Sequence, residues 1–276
     1  MPATGTAATA VRIGTQGWSY DAWVGPFYPS GTRPADFLTT YARAFDTVEI
    51  DATFYAIPAT RTVRAWADRT PPGFRFALKL PQEITHQARL RGPAFDVARH
   101  FFDRARELDD KLGPVLMQLG PEFGPAELPA LARFLPELPS DVPVAVEFRH
   151  RGWVTDGVLA LLAEHNVALA LTDARWIPRR QMLALAERPT ADFAYVRWMG
   201  ANRDLVDYSR IQIDRTRELE AWPQALHALA ARVRSVYGYV SNLFAGHSPA
   251  TARDLQRLLG QTAVAPDQLG EQFSLF

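Results

Sequence analysis

Short apolar, β-branched runs alternate along the chain with longer stretches of helical periodicity. The runs are Val11–Thr15, Thr47–Ile50, Phe74–Leu80, Val115–Leu119, Val144–Phe148, Val167–Leu171, Phe193–Trp198 and Val236–Ser241. Each is apolar at nearly every position, the pattern of strands buried on both faces of a parallel sheet. Between them the spacing predicts helices over Pro34–Ala44, Arg61–Arg69, Ala94–Leu112, Glu127–Leu135, Asp156–Glu164, Arg215–Arg234 and Pro249–Leu259, with a weaker one over Pro178–Arg188. Thr60 is positioned as an N-cap and Gly113 as a helix stop. Strand and helix alternate eight times without a break in composition, and 276 residues is close to the ~250 that a TIM-type (β/α)8 barrel needs. The expected fold is therefore α/β, a single TIM-type barrel of parallel strands over 11–262. A leader (1–10) precedes it and a tail (263–276) follows. A doubly wound open sheet is the structural alternative.

Composition narrows the class. The chain is 47% hydrophobic and carries equal numbers of acidic and basic residues, which argues against disorder. A zero net charge does not indicate a nucleic-acid binder, although a local basic patch can hide inside it. The absence of cysteine removes disulfides, thiolate metal sites and a cysteine nucleophile, and fits a reducing, cytoplasmic setting. Nothing at the start reads as a targeting signal, and no stretch approaches the ~20 apolar residues of a membrane span.

A barrel of this type places its chemistry where strands end and the following loops begin. The expected strand ends carry Trp18 after the first, Glu49, Asp51 and Tyr55 after the second, Lys79 after the third and Gln118 after the fourth. Glu147 and Arg149 follow the fifth, Asp173 the sixth, Arg197 the seventh and Asn242 the eighth. Polar groups at all of these ends, opposite apolar strand starts such as Val11 and Phe74, point to one polar pocket. Glu49, Lys79, Glu147 and Asp173 are the candidate catalytic groups. The carboxylates suit proton transfer or oxygen ligation of Mg²⁺ or Mn²⁺. Trp18, Asp51, Tyr55, Gln118, Arg149, Arg197 and Asn242 are candidate substrate contacts, with the cations suited to phosphate or carboxylate.

Each of these residues also has a plainer reading. Glu147 and Arg149 can simply close the barrel mouth as an ion pair. Lys79 can form a Schiff base with a carbonyl substrate, or only pair with Glu49 or Asp51. The aromatic set Trp18, Tyr20, Trp23, Phe27, Tyr28, Phe54 and Tyr55 either walls a pocket or packs two loops over the barrel. Of six histidines, only His86 and His247 fall on expected loops near the mouth. The turn Gly14–Trp18 lacks a dinucleotide fingerprint, so no nucleotide cofactor is indicated.

Several segments resemble one family. Gly14-Thr15-Gln16-Gly17-Trp18-Ser19-Tyr20-Asp21-Ala22-Trp23, Val48–Tyr55, Phe76–Lys79, Leu116–Pro121, Val146–Arg149, Tyr195–Arg197 and the Asn242–Gly246 region are similar, in order, to the domain-of-unknown-function 72 family, the YecE-like proteins. The Trp-x-Tyr-x-x-Trp turn and the Glu-x-x-x-Thr-Phe-Tyr run are the most specific. The resemblance implies a TIM-type barrel and no established reaction. Asp51 stands where that family usually has Asn, and Met199 where His is common, which weakens any mechanism using a histidine on the seventh strand.

The chain ends Gln272-Phe273-Ser274-Leu275-Phe276, similar to the bacterial sliding-clamp-binding pentapeptide. Gln272, Leu275 and Phe276 would be the partner contacts, with Val264–Gly270 as a flexible tether. The alternative is a segment folded onto the barrel. Three functions fit these features. One is a hydrolase or lyase acting on an anionic substrate, a phosphate-bearing sugar, nucleotide or nucleic acid. Another is a DNA-repair or processing factor recruited by the tail. The third is a non-catalytic ligand-binding or scaffold protein, favoured if ion pairs close the pocket entirely.

Overall fold

Eight strands close on themselves in the order in which they occur: β1 (Ala10–Gln16), β2 (Thr47–Ile50), β3 (Arg75–Lys79), β4 (Leu112–Gln118), β5 (Val144–Glu147), β6 (Ala168–Ala174), β7 (Phe193–Gly200) and β8 (Ser235–Val240). Every neighbouring pair is parallel, and β8 returns to pair with β1. This computed structural model describes residues 9–201 and 204–270. The closed parallel sheet replaces the open-sheet alternative and is a TIM-type barrel.

Two separate apolar clusters show how the alternation of side chains works. Ala77, Leu116, Ala145, Ala168, Ala170, Phe193, Tyr195, Tyr237 and Tyr239 pack together inside the barrel. Alanine on β3, β5 and β6 faces tyrosine and phenylalanine on β7 and β8, so small residues make room for large ones in a narrow interior. The intervening strand residues, among them Ile13, Val48, Leu78, Val146, Val196 and Val236, face outward into the larger cluster beneath the helices. Gly14 permits the closest strand approach: a Cβ there would lie 2.2 Å from the Thr47 carbonyl oxygen.

The helices cover the outside, and several differ from their expected spans. They are α1 (Phe37–Tyr41), α2 (Thr60–Asp68), α3 (Ala94–Ala105), α4 (Leu128–Phe134), α5 (Asp156–Glu164), α6 (Arg179–Leu185), α7 (Thr216–Glu220), α8 (Pro223–Ala230), α9 (Asn242–Ala245) and α10 (Ser248–Leu258). Thr60 is the first helical residue of α2 and does not cap it. The stretch expected as one helix to Gly113 ends at Ala105, tightens into a 3-10 segment (Arg106–Lys111), and enters β4 at Leu112. Gly113 is thus a strand residue, close to the carbonyl of Phe76 on β3. The expected Arg215–Arg234 helix breaks at Pro223, whose missing N–H and fixed φ suit a new first turn.

At the two ends the barrel extends further than expected. Ala10 already pairs with Ser235, and the Thr9 hydroxyl donates to Val233 O at 3.0 Å. Residues 264–270 do not form a free tether: Leu269 is buried, and Arg43 donates to its carbonyl at 3.1 Å. An apolar side chain with a pocket to fill overrides a loop-like composition. The rest of the leader (1–8) and the proposed clamp contacts Gln272, Leu275 and Phe276 lie outside the described residues.

Candidate functional site at the carboxyl ends of the strands

The interior cluster sets the parity of the layer above it. Two residues beyond each inward-facing core position stand Glu49 on β2, Lys79 on β3, Gln118 on β4, Glu147 on β5, Thr172 on β6 and Arg197 on β7. All are buried. The same rule places Asp51, Arg149 and Met199 one further step up, at a cavity of about 480 Å³ that they line with Gln16, Tyr20, Phe54, Tyr55, Lys79, Gln82, His86, Gln118, Tyr208 and Asn242.

The lower layer is closed by charge pairing. Arg197, with no exposed surface, donates from Nε to Glu49 Oε2 at 2.9 Å and from Nη2 to Glu49 Oε1 at 2.6 Å. Its third nitrogen, Nη1, reaches Glu147. Tyr195, two residues earlier on β7, donates to Glu49 Oε2 at 2.6 Å. Burying three ionised groups costs several kcal/mol each unless every lone pair and proton finds a partner, and here the fork and the phenol supply them. Burial pushes the Glu49 carboxyl up from its ordinary range, and Arg197 pulls against it. Burial pushes Glu147 up as well, but Arg197 and Arg149 together more than reverse it and hold Glu147 at about 2.

This arrangement corrects three expectations. Arg197 cannot touch a ligand, because Glu49 and Glu147 take its fork beneath the cavity floor. Glu49 and Glu147 are likewise committed to Arg197 and do not line the cavity. Asp173 is not at the mouth: Ala168, Ala170 and Thr172 face inward, so Asp173 faces the helices. There it accepts from Trp222 Nε1 at 3.0 Å and pairs with Arg179 of α6. The carboxylates expected to hold Mg²⁺ or Mn²⁺ are therefore pointed apart or already paired. Among the described residues no group of three or more His, Asp or Glu side chains is arranged to hold a metal ion.

The upper layer keeps free chemistry. Arg149 donates from Nε to Glu147 Oε1 at 2.9 Å and from Nη2 to Gln118 Oε1 at 2.7 Å, which fixes its plane; Nη1 has no partner among the described residues. Lys79 Nζ lies 3.2 Å from Asp51 Oδ1 and 4.3 Å from the centre of the Phe54 ring, so the plainer ion-pair reading describes its geometry. The Thr53 hydroxyl bridges the Lys79 backbone N–H and C=O at 2.9 and 2.8 Å, pinning the β2 loop to β3. Asn242, 4% exposed, accepts through Oδ1 from both Ser248 N and Ser248 Oγ. Its buried Nδ2 makes no well-formed hydrogen bond among the described residues and is turned toward the Tyr20 hydroxyl. His86 sits on a π-helical turn (Glu83–Gln87), with its ring edge against Phe54. Burial, then the Arg149 charge, lower its pKa, so it is neutral near pH 7.

The aromatic set divides. Trp23, Phe27 and Tyr28 are fully buried loop packing. Trp18 turns away from the mouth and meets Trp66 of α2 edge-on at 6.0 Å, because the left-handed Gly17 (φ 73°) redirects the chain after β1. Tyr20, Phe54 and Tyr55 remain at the cavity, and Tyr55 is 73% exposed. His247 is buried beside Trp23 and donates from Nδ1 to Tyr208 O at 2.7 Å, which holds the β7 loop over the mouth. Tyr195 is the buried partner of Glu49 missed from sequence; its place two residues before Arg197 was the available signal. Tyr208, on a long irregular loop, carried none. The cavity above the ion pairs means that they do not close the pocket.

A family model described as "Protein of unknown function DUF72" matches residues 12–272. YecE of Escherichia coli K12, a UPF0759 protein, is 38% identical over 147 residues, 53% of this chain and 51% of that protein. That match thus spans about half the length of YecE. YunF of Bacillus subtilis, also a UPF0759 protein, is 26% identical over 94% of this chain and 99% of its own length. The crystal structure of a DUF72 family protein from Thermotoga maritima superposes with a TM-score of 0.77 at 25% identity, covering 91% of this chain and 100% of that one. One from Enterococcus faecalis gives 0.72 at 19% identity, covering 92% and 99%, and bears on the fold alone.

Proposed function

The chain belongs to the DUF72 family, and for this member we propose that the barrel mouth is an enzyme active site for a small anionic, phosphate-bearing substrate. The observation that carries this reading is the convergence of Lys79, Arg149 and the Asn242 amide on one cavity of about 480 Å³. Arg149 Nη1 and Lys79 Nζ donate to the anion's oxygens, and Asn242 Nδ2 supplies a third, uncharged donor. The Asp51–Lys79 pair and neutral His86 are the groups placed to move a proton, which suits hydrolysis or lyase chemistry. Glu147 and Gln118 hold Arg149 in plane, and Glu49, Arg197 and Tyr195 hold Glu147 in turn.

Calorimetric titration with inorganic phosphate tests the site. The wild-type protein binds it, and Arg149→Ala or Lys79→Met each loses about 1.5–3 kcal/mol, roughly ten- to a hundred-fold in affinity. Equal binding by both variants, or none by the wild type, overturns the reading. A separate proposal rests on Gln272–Phe276, whose match to the clamp-binding pentapeptide makes the bacterial sliding clamp its expected partner.

A further inference from the structure

We propose that the β5–β6 edge of the mouth binds single-stranded nucleic acid, with one phosphate of the strand seated in the pocket. This rests on the phosphate-pocket reading and extends it along the rim. Arg151 follows β5, Arg175 follows β6, and Arg180 stands in the first turn of α6; all three are exposed. Most acidic groups on this face are engaged, while Glu122, after β4, forms no ion pair among the described residues. Asp173 pairs with Arg179, Glu218 with Arg179 and Arg215, and Asp156 with Arg188. Among the described residues, Arg151, Arg175 and Arg180 form no ion pair. A chain of zero net charge therefore concentrates uncompensated positive charge on one lip of its cavity.

Trp176 makes this lip continuous with the pocket. The Arg175 guanidinium lies 4.3 Å from its ring centre, and that of Arg149, the cavity's own cation, lies 5.7 Å from the same ring. Arg149 and Arg175 thus lead outward from the cavity across Trp176, and Arg151 and Arg180 follow the same two strands, a spread of cations that one small anion would not need and successive phosphates would use. The cavity also selects for a single strand. It admits one group, not a helix, and its opposite lip carries Tyr55, whose largely exposed ring offers a face for a base to stack on. Bases in a duplex cannot reach such a ring without leaving their stack.

Fluorescence anisotropy with a labelled thymidylate strand of about 15 nucleotides, and a duplex of equal length, tests this on the full chain. The wild type is expected to bind the strand more tightly than the duplex. The triple variant Arg151→Glu, Arg175→Glu, Arg180→Glu should weaken strand binding at least about ten-fold. It should also reduce the slope of log affinity against log salt by about 2, near 0.7 for each phosphate that is no longer neutralised. Its phosphate affinity by calorimetry should match the wild type, which also reports that the pocket is folded. Equal strand binding by the variant, or duplex binding as tight as strand binding, overturns the proposal. So does a wild type that takes up phosphate but not the strand, and that result leaves the pocket reading standing. Failure to bind phosphate at all removes both.

Discussion

Arg197 is a cation without a route to solvent, held by two carboxylates from strands on other parts of the barrel. Arg197→Met would leave Glu49 and Glu147 buried without their shared counter-charge. Stranding buried charges in this way costs about 3–5 kcal/mol, to be read as a lower urea midpoint. Arg197→Lys should recover only part, since an ammonium cannot make the two-pronged contact to Glu49 while reaching Glu147. A stability near wild type for Arg197→Met would refute the structural role. The pH dependence follows from the same burial. Glu147, at about 2 in the fold against 4.5 ordinarily, stabilises above pH 4.5, and that contribution is lost as the pH falls from 4.5 toward 2. Glu49, shifted upward by burial, acts in the opposite sense and offsets part of this loss. His86 and His247 are both lowered by burial, so below about pH 6.5 the unfolded chain takes up protons first and stability falls. Scanning calorimetry should show a melting temperature that declines from pH 7 to 5. His247→Asn, which keeps a donor for Tyr208 O, should shrink that decline. A His247→Asn profile identical to wild type over this range would contradict the assignment, since Glu49 and Asp46, raised by burial, act in the opposite sense.

At the level of elements, one register rule decides which strand-end residues share the site. Side chains alternate with period two, so a slip of one position moves a group from the mouth to the helix layer. Asp173 shows the cost of reading only nearness to a strand end. Its neighbour Thr172 holds the inward place, and Asp173 becomes an anchor for Trp222 and Arg179. The C-terminal segment carries its own test. Residues 264–270 are fastened to the barrel by Leu269, so a deletion should begin after them. Removing Gln272–Phe276 is expected to leave the melting temperature unchanged and to abolish capture by immobilised sliding clamp. Leu275→Ala with Phe276→Ala should do the same, as those side chains would fill the apolar pocket of the partner. A drop in melting temperature, or undiminished capture, would instead assign the segment to the barrel's own packing.

For the molecule as a whole, closure of the sheet is what turns scattered residues into a site. Glu49 and Arg197 are 148 positions apart, and Glu147 and Arg197 are 50 apart, yet they share one guanidinium. Closure also stacks Glu49, Glu147 and Arg197 in one buried layer at the carboxyl ends of the strands. No helix among the described residues is long and apolar enough to cross a membrane.

The eight strands and their order were legible along the chain because local hydrophobicity determines them. Thr47–Ile50 lies between polar neighbours and is buried throughout. The concentration of polar groups at strand ends was legible for the same reason, as was the family resemblance, which runs along contiguous segments. Helix ends were less so, since Pro223 and the 3-10 turn before Leu112 depend on how the chain meets the next strand. What the sequence could not decide is which charges cancel. Lys79, Arg149 and Arg197 are three cations at three strand ends, and nothing local distinguishes them. Only the closed barrel puts Arg197 under the floor between two carboxylates and leaves Arg149 a free nitrogen at the cavity, because pairing across a barrel depends on partners remote in sequence and on layer height.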